Sequence, residues 1–174
     1  LSDVIAWVAV ATMMLGVLGA LAQSDIRRVL GFLVISSIGV MLAGLALGTP
    51  QGVSGAIVYA VHSIIVMTAL YLLAGEIAER TGGYSLHHVS GLYRASPALA
   101  AVALLLVLSV AGLPPGSGLW PKVMLVQASL EAGASMLAFA ILASGFLIMI
   151  AMGRLFALVF WREGESLAVT REAR

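Results

Sequence analysis

Long runs of apolar side chains separated by short polar joints dominate the pattern of this chain. Residues 4–22, 29–47, 53–78, 97–130 and 136–161 are apolar almost throughout, and none keeps a strict two-residue alternation. A helix crosses the hydrocarbon core of a bilayer with about 20 such residues, whereas a membrane strand needs only about 10. Length and periodicity therefore predict helices, and the chain reads as an all-α, polytopic transmembrane bundle of about five crossings. Composition points the same way. The chain is 61% hydrophobic and only 10% charged, against about 25% charged for a soluble domain. A water-soluble fold would have to expose these runs and is excluded.

The fourth run is interrupted by Gly112-Leu113-Pro114-Pro115-Gly116-Ser117-Gly118. Two prolines remove two backbone donors, and the glycines loosen the chain around them. Backbone opened in this way at membrane depth has to be buried in protein or line a wet cavity. Gly112, Pro114, Pro115, Gly116 and Gly118 are thus read as the break in one discontinuous crossing over 97–130. Gly16, Gly19, Gly31, Gly39, Gly44 and Gly55 lie within other spans, where small residues allow close helix packing.

Charge placement favours five crossings over six. Arg27 and Arg28, the loop with Arg80, His87, His88 and Arg94, and the tail residues Arg162, Arg171 and Arg174 then fall on one side. The opposite joints, Thr49-Pro50-Gln51 and Glu131-Ala132-Gly133, carry no Lys or Arg. The positive-inside rule puts the arginine side, with the polar tail 162–174, in the cytoplasm. The domain reading is a helical repeat over 1–161 followed by that tail. Net charge is +1, which offers no field for nucleic acid. The start Leu1-Ser2-Asp3 has neither the basic n-region nor the cleavage site of a secretory signal. We read it as the interior of a longer protein.

Few residues carry chemistry. Lys122, the only lysine, follows the break in Trp120-Pro121-Lys122. A charged lysine at membrane depth costs roughly 2.5–3.5 kcal/mol on insertion scales, so the neutral amine competes with the ammonium and proton exchange becomes accessible. The structural alternative is a lysine that snorkels to the surface. His62 lies mid-span, with Tyr59 one turn earlier on the same face and Ser63 and Thr68 nearby. An imidazole titrates near neutrality and suits a proton shuttle; the alternative is a neutral histidine bonded to a neighbouring helix. Ser36 and Ser37 interrupt the second span, either lining a water path or bonding to helix backbone. Glu76, one turn deeper than the interfacial Glu79 and Arg80, is a candidate cytoplasmic entrance. Asp25 with Arg27 and Arg28 reads as a surface cluster, His87-His88 as a weak metal signal, and Arg154 as a snorkelling arginine. There is no cysteine, phosphate-binding loop, dinucleotide fingerprint or HExxH. No cofactor, metal or catalytic residue is expected.

Taken together, Gln23-Ser24-Asp25-Ile26-Arg27-Arg28, Ile35-Ser36-Ser37-Ile38-Gly39, the stretch from Val61-His62-Ser63 to Ala74-Gly75, and Ala111-Gly112-Leu113-Pro114-Pro115-Gly116-Ser117-Gly118-Leu119-Trp120-Pro121-Lys122 resemble the antiporter-like membrane subunits. These are shared by Mrp-type multisubunit Na+/H+ antiporters and respiratory complex I. Gly91-Leu92-Tyr93-Arg94-Ala95-Ser96-Pro97 and the run from Lys122 to Ala128 are similar to the D-subunit branch of the Mrp antiporters. The resemblance runs to about Trp161. It implies the second of two inverted five-helix repeats of a 14-helix subunit, with a discontinuous fourth helix. It places Lys122 at the broken-helix lysine and His62 at the polar site of the preceding helix. Many relatives carry a lysine about one turn after that histidine, where this chain has Val66-Met67. The first repeat, with the family's Glu–Lys pair, is not in this sequence, so the piece alone is not expected to exchange ions.

The expectation is a proton-translocating half of a cation/proton antiporter subunit in a bacterial inner membrane. Protons would hop through His62, Lys122 and water, and Na+ would be the coupled ion, moved with other membrane subunits of the complex. One alternative is the proton-pumping membrane subunit of a complex I-like NADH:quinone oxidoreductase. A second is a non-conducting assembly scaffold, favoured by Met67.

Overall fold

The structure, a computed structural model, describes residues 2–163. Its regular elements are all helices: α1 (Ser2–Ala22), α2 (Ile26–Ala46), α3 (Pro50–Thr81), α4 (Leu92–Ala95), α5 (Pro97–Ala111), α6 (Leu119–Glu131) and α7 (Ser135–Phe156). A π-helical turn, Ala157–Trp161, closes the last helix. Among the described residues, α1, α2, α3 and the last helix are long and apolar enough to cross a membrane, and α5 is a shorter apolar helix. Beyond Arg162 and Glu163, the expected tail, including Arg171 and Arg174, lies outside the described residues.

Two helices start earlier than their apolar runs because polar caps set their first turns. The Asp25 carboxylate accepts from the backbone N–H groups of Arg27 and Arg28, and the Thr49 hydroxyl accepts from Gly52 N–H ahead of Pro50. Each side chain satisfies donors that the first helical turn leaves free. At its other end α3 runs on to Thr81 and stops at Gly82. α4 is a single turn in the loop expected between Glu79 and Ser96.

One end of the bundle gathers the described arginines and is stitched by hydrogen bonds. Ile26 N–H donates to Tyr84 O at 3.0 Å, and Leu86 N–H donates to Ser24 O at 2.8 Å. The Arg27 guanidinium lies 3.9 Å over the Tyr84 ring. Arg154 donates to Leu21 O at 2.6 Å, closing the free carbonyl end of α1. Arg162 donates to Leu86 O at 2.7 Å, His87 O at 3.1 Å and Val89 O at 2.9 Å. These contacts bring the ends of α1, α3 and α7 to the start of α2 and to the 82–91 loop. The opposite end holds the joints at Gly48 and Gly133.

Two apolar clusters fill the interior. One, toward the basic end, includes Leu30, Leu70, Ile77, Val89, Ala100, Met152 and Phe160. The other includes Ala9, Val40, Leu125, Leu137 and Ile141. Buried Ser36, Ser37, Ser63, Lys122 and Ser144 occupy the level between them, near the middle of their crossings. Ser129, also buried, bonds back to Leu125 O within α6.

The fourth crossing is discontinuous. α5 runs inward from the basic end and stops at Ala111, and α6 resumes at Leu119 toward the other end. Their 15 and 13 residues each cover about two-thirds of a bilayer-spanning length, so they add up to one interrupted crossing rather than two. Gly112 ends α5 with φ 79°, and its N–H donates to Leu108 O and Ser109 O. That left-handed conformation suits glycine. Gly116 folds back against α5, where an added Cβ would lie 2.6 Å from Ser109 N and 2.7 Å from Leu108 C. The Pro114–Pro115 bond is cis.

Candidate functional site

The site is the break itself. The last carbonyls of a helix have no partner within it and carry the negative end of its dipole. Here the Lys122 side chain supplies the partner, its Nζ donating to Ala111 O at 2.8 Å and to Val110 O at 3.2 Å. Lys122 belongs to the first turns of α6, whose N-terminus has the opposite field. Two helix ends of opposite sign therefore meet at one amine, and that side chain is only 7% exposed. It does not snorkel.

Glycines on two elements make room for it. A Cβ at Gly112 would fall 2.6 Å from Lys122 Cδ, and one at Gly145 of α7 would fall 3.2 Å from Nζ. A cavity of about 310 Å³ adjoins the amine between the break, α6 and α7. Apart from Lys122 its lining is apolar, and it includes Ile141, Leu142, Gly145 and Phe146.

His62 meets the break from the α3 side. Its Nδ1 lies 3.1 Å from the Ser117 hydroxyl, and Ser109 O and His62 Nε2 flank Gly118 together. Gly118 lies against the same group, where an added Cβ would be 2.9 Å from His62 Nε2. Tyr59 packs one turn away with its ring centroid 6.1 Å from that of His62. Tyr59, His62, Ser117 and Lys122 thus converge on one interruption although they come from α3, the break and α6. Pro114 and Pro115 lie at its exposed edge.

The remaining candidates are placed differently. Ser37, Ser63 and Thr68 line a cleft of about 550 Å³ between α2 and α3, together with Met67 and Tyr71. Thr68 also bonds back to Ile64 O at 2.7 Å. Met67 is buried and gives the cleft an apolar wall. Ser36 faces away from this cleft, donating to Met13 O of α1 at 3.0 Å. Glu76 accepts from Arg80 Nε at 2.6 Å on the half-exposed end of α3. His87 and His88 lie exposed in the loop.

Sequence reasoning did not single out Ser117 as the partner of His62, Ser109 as its backbone neighbour, or Gly145 as the floor beneath Lys122. Ser117 lay within the interrupted motif, but its pairing joins residues 55 positions apart. Gly145 had no distinguishing signal in a span rich in small residues.

A family model described as "NADH:quinone oxidoreductase/Mrp antiporter, TM" matches residues 1–148. The chain is 34% identical over 157 residues to the D subunit of a Na(+)/H(+) antiporter from Bacillus subtilis (strain 168), covering 90% of this chain and 32% of that one. The protein of the same name from Alkalihalophilus pseudofirmus is 39% identical over 152 residues, covering 87% and 31%. This chain therefore spans about a third of the curated relatives it matches. Among solved structures, the Mrp complex from Dietzia sp. DQ12-45-1b matches with a TM-score of 0.90 at 36% identity, over 94% of this chain and 30% of that one. Respiratory complex I from Thermus thermophilus with bound NADH matches with a TM-score of 0.87 at 30% identity, over 94% and 35%.

Proposed function

This chain belongs to the NADH:quinone oxidoreductase/Mrp antiporter transmembrane family, and on that premise we propose that it is the proton-conducting part of a cation/proton antiporter subunit. It works within a multisubunit complex of a bacterial inner membrane, beside other membrane subunits, with Na+ as the exchanged cation. The basic end, with Arg27, Arg28, Arg80, Arg94, Arg154 and Arg162, faces the cytoplasm. The names of the D-subunit relatives support this reading over the redox one.

One observation carries it: a buried amine held on the carbonyl end of a broken helix. Lys122 takes up and releases a proton there, and His62 passes it across the other side of the break with Ser117. Tyr59, Ser37, Ser63 and Thr68 extend the polar route into the α2–α3 cleft. Internal water bridges the interval that Met67 leaves without an amine. Ser36 ties the middle of α2 to α1 through Met13 O, and Glu76 with Arg80 marks the cytoplasmic approach to α3.

Replacing Lys122 with Ala in the full-length subunit should abolish proton-coupled exchange in everted vesicles while the complex still assembles. Unchanged exchange rejects the assignment. The similarity to a complex I chain gives a second reading, a membrane subunit of a redox-driven pump. Flavin or iron–sulfur absorbance in the purified complex would decide for it.

A further inference from the structure

The cavity beside Lys122 has a shape and a chemistry that proton passage alone does not require. Its floor is made by Ile141, Gly145, the end of α5 and the amine. Val123, Leu142 and Phe146, at the mouth, are 46%, 59% and 59% exposed on an apolar face between α6 and α7. Its volume of about 310 Å³ is at the lower end of small-ligand pockets and holds roughly ten water-sized groups. Two of the three donors of an ammonium at Lys122 are used by Val110 O and Ala111 O. The third is left for a group on the Gly145 side, where an added Cβ would come within 3.2 Å of Nζ.

We infer that this cavity binds a lipophilic carboxylic acid, of the free fatty acid class, with its carboxylate on Lys122 Nζ and its chain leaving past Leu142 and Phe146. An apolar wall selects an acyl chain, and a single buried cationic donor selects an oxyanion over an alcohol or ester. The acid enters from the bilayer in its neutral form. Its O–H proton passes to the amine, leaving an ammonium–carboxylate pair that needs no second buried countercharge. No other bond changes. Binding does not depend on the relay assigned to Lys122. If that relay holds, an occupied cavity also stops proton exchange at the amine.

The test uses the complete complex in proteoliposomes with a diazirine-bearing dodecanoic acid and, in parallel, the matching dodecanol. The acid should label α6 and α7 peptides about tenfold more than the alcohol, as expected for a charge-assisted contact. Lys122→Met should erase that preference. Leu142→Trp, at the exposed mouth, should lower labelling by the acid while leaving the amine in place. Equal labelling by acid and alcohol in the unaltered complex would reduce the cavity to an acyl crevice and overturn the proposal. So would a preference that survives Lys122→Met, or acid labelling unmoved by Leu142→Trp. Because labelling is read without transport, a failed relay assignment and a failed binding assignment give separate results.

Discussion

Lys122 and His62 flank the same interruption but lean on different partners, one on backbone carbonyls of α5 and the other on a hydroxyl within the break. The His62–Ser117 contact is worth about 1 kcal/mol if it behaves as an ordinary net hydrogen bond, or roughly fivefold in a rate it limits. Ser117→Ala in the complete subunit should therefore slow exchange by about that factor. In a His62→Ala background it should add little, because the two side chains act as one unit. Additive losses, measured as exchange rates in vesicles, would show that the pair does not work together. The sequence exposed the two ionisable members readily, since a lysine and a histidine in apolar runs are costly and therefore conspicuous. It could not expose Ser117 as a partner, because a hydroxyl is cheap almost anywhere.

At the scale of the element, the discontinuity depends on how α5 is ended. Gly112 and Gly82 both terminate helices with φ near 80° (79° and 81°), but their surroundings differ. An added Cβ at Gly82 meets nothing within 4 Å, whereas at Gly112 it meets the Lys122 side chain at 2.6 Å. Gly82→Ala should cost about 1 kcal/mol of backbone strain. Gly112→Ala carries that strain plus a steric clash with the buried amine, and should lower the thermal midpoint of the solubilised complex clearly further. Equal shifts would mean that Lys122 is not held where the geometry places it. The break was legible from Pro114 and Pro115 because proline forbids a continued helix. The first turns of α2 and α3 were less so, since polar caps extend both helices beyond their apolar runs.

For the whole molecule, the testable consequence is orientation. The described arginines collect at one end, the kind of bias that orients a bundle during insertion. The chain has no native cysteine, which makes single-cysteine probes clean within it. In an otherwise cysteine-free complex, Gln51→Cys should react with an impermeant maleimide from outside the cell, and His87→Cys only in everted vesicles. The reverse pattern would invert the proposed topology. The same end is where Arg154 and Arg162 fasten α7 to α1 and to the 82–91 loop. An arginine near a helix end read from sequence as a snorkelling charge turns out to close another helix's carbonyls.

Hydropathy and proline by themselves determined that this chain is a membrane bundle and which crossing is broken, while the placement of arginine was needed to choose five crossings over six. The first two follow from local cost: apolar length against water, and missing donors against lipid. Only the tertiary structure decided that the amine points back to the end of α5 and toward α7, that His62 pairs with Ser117, and that a cavity is left between α6 and α7. Those depend on which helix surfaces come together, and in a chain this uniformly apolar the one-dimensional pattern scarcely distinguishes one face of a helix from another.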